Sequence, residues 1–503
     1  MTTATEPACL QLALADYPGM NAFVLDWLNG DERFLPRVGQ TLLSVPAQTG
    51  VSELQTALIE SNKHWGLFVR DEVERWARGE APAIIGGQQV GFAGGPLYTL
   101  AKIATLLKLK KQHHPNATLF FWLATEDHDF DEAATLSIPV ANKQLDLMHI
   151  AVSHAVDSKA MVGPQTVPEP LIADLLGQLG IPRPAWLREG ITFRDSFAEL
   201  IAQVFASEKI VLVDALLPEL RRAGATLFNQ IAKRADEVQS ALAARSSALA
   251  KAGYLPQVVP RDGEGYTLFF RIDEHGNREV MHPPYDIGDP TTISTSALTR
   301  PLLQDFVFRP AIFVGGPAEV AYYAQIAPLH DLLGVPLPRV ALRGHALVAP
   351  KRVTRAFQRY HLEPREIFRN ADEILAEREP ESVARVRKLT EEGKRELLAR
   401  IAEIADIALP AEHALARAVN RSIGHLEYHF NKLSERAIKG LARKDRERWL
   451  AVRELVATLY PDRHVQDRVV GWIPFFCQYD GQLIERMIDE IEPDAPVCRI
   501  IAL

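Results

Sequence analysis

Apolar residues recur at three- and four-residue spacing over residues 21–28 and 51–77, which predicts that residues 1–80 are mostly helical. Tyr17-Pro18-Gly19 marks a turn before them. At Ala83 the pattern changes. Ala83, Ile84 and Ile85 form a short apolar run that ends in Gly86 and Gly87. Gly91, Gly94 and Gly95 follow, and Pro96 stands where a helix can begin. Leu97, Leu100, Ile103, Ala104 and Leu107 return to helical spacing. A second apolar run, Thr118–Leu123, is aromatic-rich and too short for an ordinary helix, and it leads into Glu126, Asp127, His128 and Asp129. The stretch reads as strand, glycine-rich turn, helix, strand and acidic turn, a unit with a parallel crossover.

The same layout returns later. Residues 209–214 carry a buried-strand pattern closed by Asp214, which can bind a ribose or an amine or cap the helix that Pro218 opens, a helix expected to run to about Lys251. Helices are expected over 167–180 and 193–206, and a hairpin over 266–272 and 279–282 around the turn at 273–277. Residues 286–296 read as a polar loop. Residues 311–314 then predict a strand, Gly315-Gly316-Pro317 a turn and 318–333 a helix, repeating the first unit down to its Gly-Gly-Pro. From about Ala371 the composition shifts to Ala, Glu, Arg, Lys and Leu. Leu397, Ile401, Ile404 and Ala408, broken by Pro410, and then Ile423, Leu426, Phe430, Leu433 and Ala437, each form a narrow seam. Two such helices predict an antiparallel coiled-coil arm, which favours a homodimer. Residues 469–476 read as a strand or buried segment and 481–491 as a helix.

The expected fold class is therefore α/β: a Rossmann-like parallel-sheet core with inserted connecting segments, plus the arm. The core spans 1–370, with insertions at about 137–205 and 253–300. The arm spans 371–458, and 459–503 packs back on the core.

Composition narrows the function classes. The chain has 503 residues, 24% of them charged and 47% apolar, as in an ordinary soluble protein. A net charge of -8 argues against nucleic acid as the main partner. Three cysteines, Cys9, Cys477 and Cys498, lie far apart without CxxC spacing, which fits a reduced cytoplasm and neither a zinc site nor a disulfide framework. Cys477 is expected to be buried. The N-terminus has no signal-peptide pattern, and no apolar run reaches membrane-spanning length.

The candidate chemistry sits at strand ends, where open parallel sheets bind ligands. Two glycine turns leading into helices bring N–H groups and helix N-termini to one edge, which favours phosphates or carboxylates. Neither GxGxxG nor a phosphate loop ending in Gly-Lys-Ser/Thr is present. Glu126, Asp127, His128 and Asp129 can hold an ammonium, shuttle a proton or bind a metal, although no spacing demands a metal. On a continuing strand Glu126 and His128 share one face and Asp127 and Asp129 the other. Glu319 has the usual place of a helix-start acid, and Tyr322, Tyr323 and Gln325 either contact a polar ligand or pack. Arg300 either pairs with Asp305 or clamps a carboxylate. Ser422-Ile-Gly-His425 and Lys432-Leu-Ser-Glu-Arg436 look faintly like class I aminoacyl-tRNA synthetase signatures, but they fall mid-helix in the arm.

Several long motifs in order carry a more specific signal. They are Gly87-Gln88-Gln89 with Gly95-Pro96-Leu97-Tyr98-Thr99, Thr125-Glu126-Asp127-His128-Asp129-Phe130, and Arg300-Pro301-Leu302-Leu303-Gln304-Asp305. Gly315-Gly316-Pro317-Ala318-Glu319-Val320-Ala321-Tyr322-Tyr323-Ala324-Gln325, and Leu459-Tyr460-Pro461 with Gln466-Asp467-Arg468, complete the set. Through them nearly the whole chain resembles the BshC family, the cysteine-adding enzymes of bacillithiol biosynthesis. Gly86 departs from an expected threonine and Phe92-Ala93 from a Leu-Phe-Thr-like segment.

The resemblance implies a ligase that joins L-cysteine to glucosaminyl-malate (GlcN-Mal) through an amide. It implies an adenine nucleotide partner, ATP or ADP, bound near the arm instead of in the core cleft, with Mg a possible companion, and a homodimer formed through the coiled coil. It assigns catalysis to His128, Glu126, Asp127 and Asp129, with His128 taking a proton from the cysteine ammonium. It assigns binding to Gly87, Gln88, Gln89, Gly95, Tyr98, Arg300, Gln304, Asp305, Gly315, Gly316, Glu319, Tyr322, Tyr323 and Gln325. A nucleotide-binding transferase of another substrate and a non-catalytic dimeric scaffold are the alternatives.

Overall fold

The computed structural model describes residues 10–39, 51–139, 147–152, 160–261, 265–377, 381–408, 415–442 and 446–503. They form two compact units. One comprises the chain up to Ala349 together with Pro461–Leu503, and the other is Pro350–Tyr460. Cys9 and Pro410 lie outside the described residues. Among the described residues no helix is long and apolar enough to cross a membrane.

The first unit is built on five parallel strands: β1 (Ala83–Gln88), β2 (Thr118–Leu123), β3 (Val211–Asp214), β4 (Ile312–Gly315) and β5 (Arg339–Leu342). Their spatial order is 3-2-1-4-5. Every residue of β2, β3 and β4 is buried, as expected for a sheet covered on both faces. The chain thus winds outward from β1 to β3, then returns to the other side of β1 with β4 and β5. Helices α1 (Leu97–His113), α2 (Arg300–Phe308) and α3 (Pro317–Leu333) lead from or toward the strand ends.

The expected strand at Ala83 is longer than its apolar run. Gly86 and Gly87 belong to β1 and do not make the turn. A Cβ on Gly87 would lie 2.5 Å from Trp122 Cβ and 2.6 Å from its carbonyl oxygen, so glycine lets β2 approach closely. The turn comes later, through Phe92–Gly94, with Gly94 and Gly95 at φ 81° and 71°. Trp472, fully buried, donates its indole N–H to Gly94 O at 3.0 Å and fills the space where a Gly94 Cβ would stand.

Other expectations need correction. The helix after Pro218 is three helices, Pro218–Ala223, Ala225–Lys233 and Ala235–Lys251, interrupted at Gly224 and Arg234. The N-terminal region, read as mostly helical, also contains a strand, Leu10–Ala13. It pairs with Val497–Ala502, which runs parallel to His345–Ala349 in a separate three-stranded sheet. Such short strands carry too little periodicity to register alone. The hairpin forms at Phe269–Ile272 and Arg278–Val280, and the polar loop after it contributes a third strand, Ile293–Thr295. Cys477 is exposed and Cys498 buried.

In the second unit α4 (Glu381–Ala408) packs along α5 (Leu415–Ala442). Leu397, Ile401, Ile423, Leu426, Phe430 and Ala437 are partly covered. Ile404 and Leu433 instead face outward, 62% and 66% exposed, while Ala405 is buried and Ser434 partly covered in their stead. Of the Ala408 side chain nothing is described.

Candidate functional site

In a sheet of this order the chain reverses direction between β1 and β4, and a crevice opens beyond their carboxyl ends. A cleft of about 480 Å³ lies there, lined by Gly87 from β1 and by Gly316 and Pro317 at the start of α3. The two glycine segments therefore meet at one rim, joined through the parallel pairing of Val314 with Gly86.

The floor is held by Lys102 of α1, only 2% exposed. An ammonium has three hydrogens to donate and accepts nothing. Those of Lys102 reach Gly87 O at 2.6 Å, Gln88 Oε1 at 3.1 Å and Glu319 Oε2 at 2.5 Å. Burial lowers its pKa, and Glu319 opposes that shift. Gln88 passes the chain on by donating from Nε2 to Tyr98 Oη at 3.2 Å, and Tyr98 in turn faces Glu132 Oε1 at 3.5 Å. Burial raises the Tyr98 hydroxyl well above its ordinary pKa.

The glycine amides are already in use. Gly316 N–H donates to Glu319 Oε2 at 2.7 Å, a capping arrangement at the start of α3, where Pro317 has no N–H. Leu97 N–H, at the start of α1, donates to Val470 O at 2.9 Å. Attraction for an anion comes instead from side chains. Lys102, Arg300, Arg343 and Arg468 line the cleft together with Asp127, Glu132 and Glu319. Arg343 is buried, paired with Asp467 at 2.9 Å, and lies over the Tyr98 ring at 5.6 Å. Asp467 also accepts the Tyr17 hydroxyl. Arg300 is hydrogen-bonded to Tyr322, and the carboxylates of Glu126, Asp127 and Glu319 also act on it; Arg468 lines the cleft. Trp122 lines the cleft, and its buried indole N–H has no acceptor among the described residues.

Ten of the expected binding and catalytic residues line this cleft: Gly87, Gln88, Gln89, Tyr98, Asp127, Arg300, Gln304, Gly316, Glu319 and Tyr322. The rest lie elsewhere. Gly95 shapes the turn before α1, and Gly315 ends β4, where a Cβ would lie 2.8 Å from both Glu319 Cβ and the Phe313 ring. Asp305 does not pair with Arg300. It is fully buried and binds Tyr323 Oη at 3.0 Å and His330 Nε2 at 3.0 Å, a core network in which burial raises its pKa. Gln325 bridges Val258 and Ser246. Asp214 neither caps a helix nor faces the cleft. It accepts the Thr125 hydroxyl and Leu216 N–H, the latter at 2.9 Å.

The acidic turn also departs from the expected alternation, because β2 stops at Leu123. Glu126 is buried and accepts Ser294 Oγ at 2.7 Å and Thr295 Oγ1 at 3.2 Å, tying the turn to the Ile293–Thr295 strand. Asp127 reaches the cleft. His128 is half-exposed, its Nδ1 3.8 Å from Asp127 Oδ1, and Asp129 caps the short helix Phe130–Ala133 by accepting Glu132 N–H at 2.9 Å.

Lys102, Trp122, Glu132, Arg343 and Arg468 were not singled out from sequence. Lys102 did leave a signal, as the one charge inside the apolar run of residues 99–107. Arg343 follows a strand end and Arg468 sits in the Gln-Asp-Arg motif, but nothing local aims either at the cleft.

Comparison with known proteins agrees with this architecture. Residues 31–286 and 287–344 match the family described as Bacillithiol biosynthesis BshC, N-terminal Rossmann-like domain. Residues 346–503 match its C-terminal coiled-coil domain. A protein of Solibacter usitatus named "Putative cysteine ligase BshC" is 29% identical over 464 residues, 86% of each chain. Proteins of the same name from Koribacter versatilis and Staphylococcus carnosus are 28% identical over 452 residues and 25% identical over 451. They cover 83% and 81% of this chain, and 83% and 82% of their own. The chain belongs to the BshC family.

Proposed function

We propose that this protein is a ligase that joins L-cysteine to glucosaminyl-malate in the cytoplasm, completing bacillithiol. Support comes from family membership, from the name its relatives carry, and from one observation above all. The cleft at the reversal point brings two guanidinium groups, Arg300 and Arg468, together with the carboxylates of Asp127 and Glu132. Arginine forks suit the carboxylates of the malate group, and the Asp127 and Glu132 carboxylates suit an ammonium.

Amide formation from a carboxylate is uphill in water, so the cysteine carboxyl is first activated by ATP as an acyl phosphate or adenylate. The amino group of the sugar then attacks the activated carbonyl. When bound, the nucleotide supplies the leaving group and Mg shields its phosphates. The chain's own residues bind the two substrates and manage the proton.

Incubating the full chain with L-cysteine, glucosaminyl-malate and Mg·ATP is expected to give an adduct at the summed mass less one water, dependent on all three. A complete mixture without that adduct overturns the reading.

The arm is the second part of the proposal. Leu389, Ile404, Ile407 and Leu433 are 58–81% exposed on α4 and α5, apolar surface that a second copy would cover. Leu433→Glu is expected to convert a dimer to a monomer in sedimentation. A wild-type chain that sediments as a monomer refutes this part.

A further inference from the structure

We infer that Glu132 is the group that takes the proton from the attacking amine, and that Gln88 and Tyr98 are positioning residues that aim its carboxylate. The inference rests on the ligase reading and names its base.

The argument follows the polarity of one hydrogen-bond chain. Lys102 only donates, so Gln88 must turn its carbonyl oxygen toward it, at 3.1 Å. That leaves the Gln88 NH₂ facing Tyr98 Oη, at 3.2 Å. With a donor already on its oxygen, Tyr98 directs its own proton at Glu132 Oε1, 3.5 Å away, a contact that ligand binding can tighten. Each link has a single sense, so the chain ends on a carboxylate held as an acceptor. Among the described residues Glu132 Oε2 has no partner, and Glu132 lines the cleft.

His128 has no comparable support. It is half-exposed and outside the cleft lining. Partial burial and the carboxylates of Asp129 and Asp127 raise Glu132, with the Tyr98 hydrogen bond opposing, which makes it a stronger base than an ordinary carboxylate. The cations that share the cleft with it are Lys102, Arg300, Arg343, which lies over the Tyr98 ring, and Arg468.

The step balances as follows. The sugar ammonium gives one proton to Glu132. The freed lone pair forms the C–N bond with the activated cysteine carbonyl. The bond from that carbon to the phosphate oxygen breaks with its electron pair on oxygen. The second nitrogen proton leaves to water.

Glu132→Gln is expected to lower kcat by about 100-fold or more, with KM for both substrates within a few-fold and partial rescue by added formate. Tyr98→Phe removes the bond that lowers Glu132, so the acid limb of the kcat profile moves to higher pH. Retention by Glu132→Gln of a third or more of wild-type kcat, with adduct still made, overturns the inference and leaves the ligase reading standing. If wild type makes no adduct, the ligase reading falls. The role given to Glu132 rests on that reading and falls with it.

Discussion

The chain uses Gly-Gly-Pro twice, at 94–96 and at 315–317, and the two copies do different work. In the first, Gly94 and Gly95 both have positive φ, and the Trp472 indole occupies the position of a Gly94 side chain. In the second, Gly315 is sterically confined by Glu319 and Phe313, while Gly316 has an ordinary φ of -78° with only ordinary contacts where a Cβ would stand, and its N–H is taken by Glu319. Gly94 is thus glycine for steric and conformational reasons, whereas Gly316 serves as a helix cap. In neither is a row of bare amides left for a ligand. The polar groups that reach the cleft are side chains, and they come from α1, α2, the acidic turn and the tail.

That contrast can be broken at several points. The largest effect is expected from Glu319→Ala, which removes the α3 cap and strands the Lys102 ammonium in the interior. Leaving a buried charge unpaired costs about 3–5 kcal/mol, read as a lower urea midpoint. Lys102→Met with Glu319→Ala should recover part of that loss, because no charge then remains buried.

Next comes Gly94→Ala, expected to cost about 3 kcal/mol from overpacking against Trp472. Gly316→Ala, at the α3 cap, is expected to cost about 0.5 kcal/mol, the difference between glycine and alanine at a cap. Equal losses from these two would remove the distinction between the copies.

The smallest effect sharpens the account of the cleft. The Glu132 carboxyl is raised in the folded chain, so the native state binds its proton more tightly than the unfolded state does. Stability from this group is therefore present at acid pH and is lost as pH rises through the raised value. Glu132→Gln lacks that loss, so the variant should gain on wild type in thermal melting as pH goes from 4 to 8 (~4 to ~8, spanning the usual carboxylate range). A difference that shrinks over that range would contradict the placement of Glu132.

Much of the scaffold was legible in the residues. The runs at β1, β2, β3 and β4 are short, apolar and closed by glycine or acid, and the order of motifs carried the family. The errors have physical causes. Glu126 and His128 were placed on one face because β2 was read as continuing, but the strand ends at Leu123 and the turn buries one and exposes the other. Asp305 and Tyr323 looked like ligand groups, yet a buried histidine 25 residues beyond Asp305 completes a core network with them. The arm seam was read as a strict heptad, but Leu433 faces outward and Ser434 is partly covered in its place.

Local alternation and spacing, which depend on neighbours a few residues apart, determined from the sequence alone that this is a parallel α/β core with a two-helix arm. Only the tertiary structure decided which charges work together. Lys102, Glu132, Arg300, Arg343 and Arg468 come from segments spread along the chain from residue 102 to residue 468. Whether a charge is spent on a neighbour or left for a ligand depends on distances that no local pattern encodes.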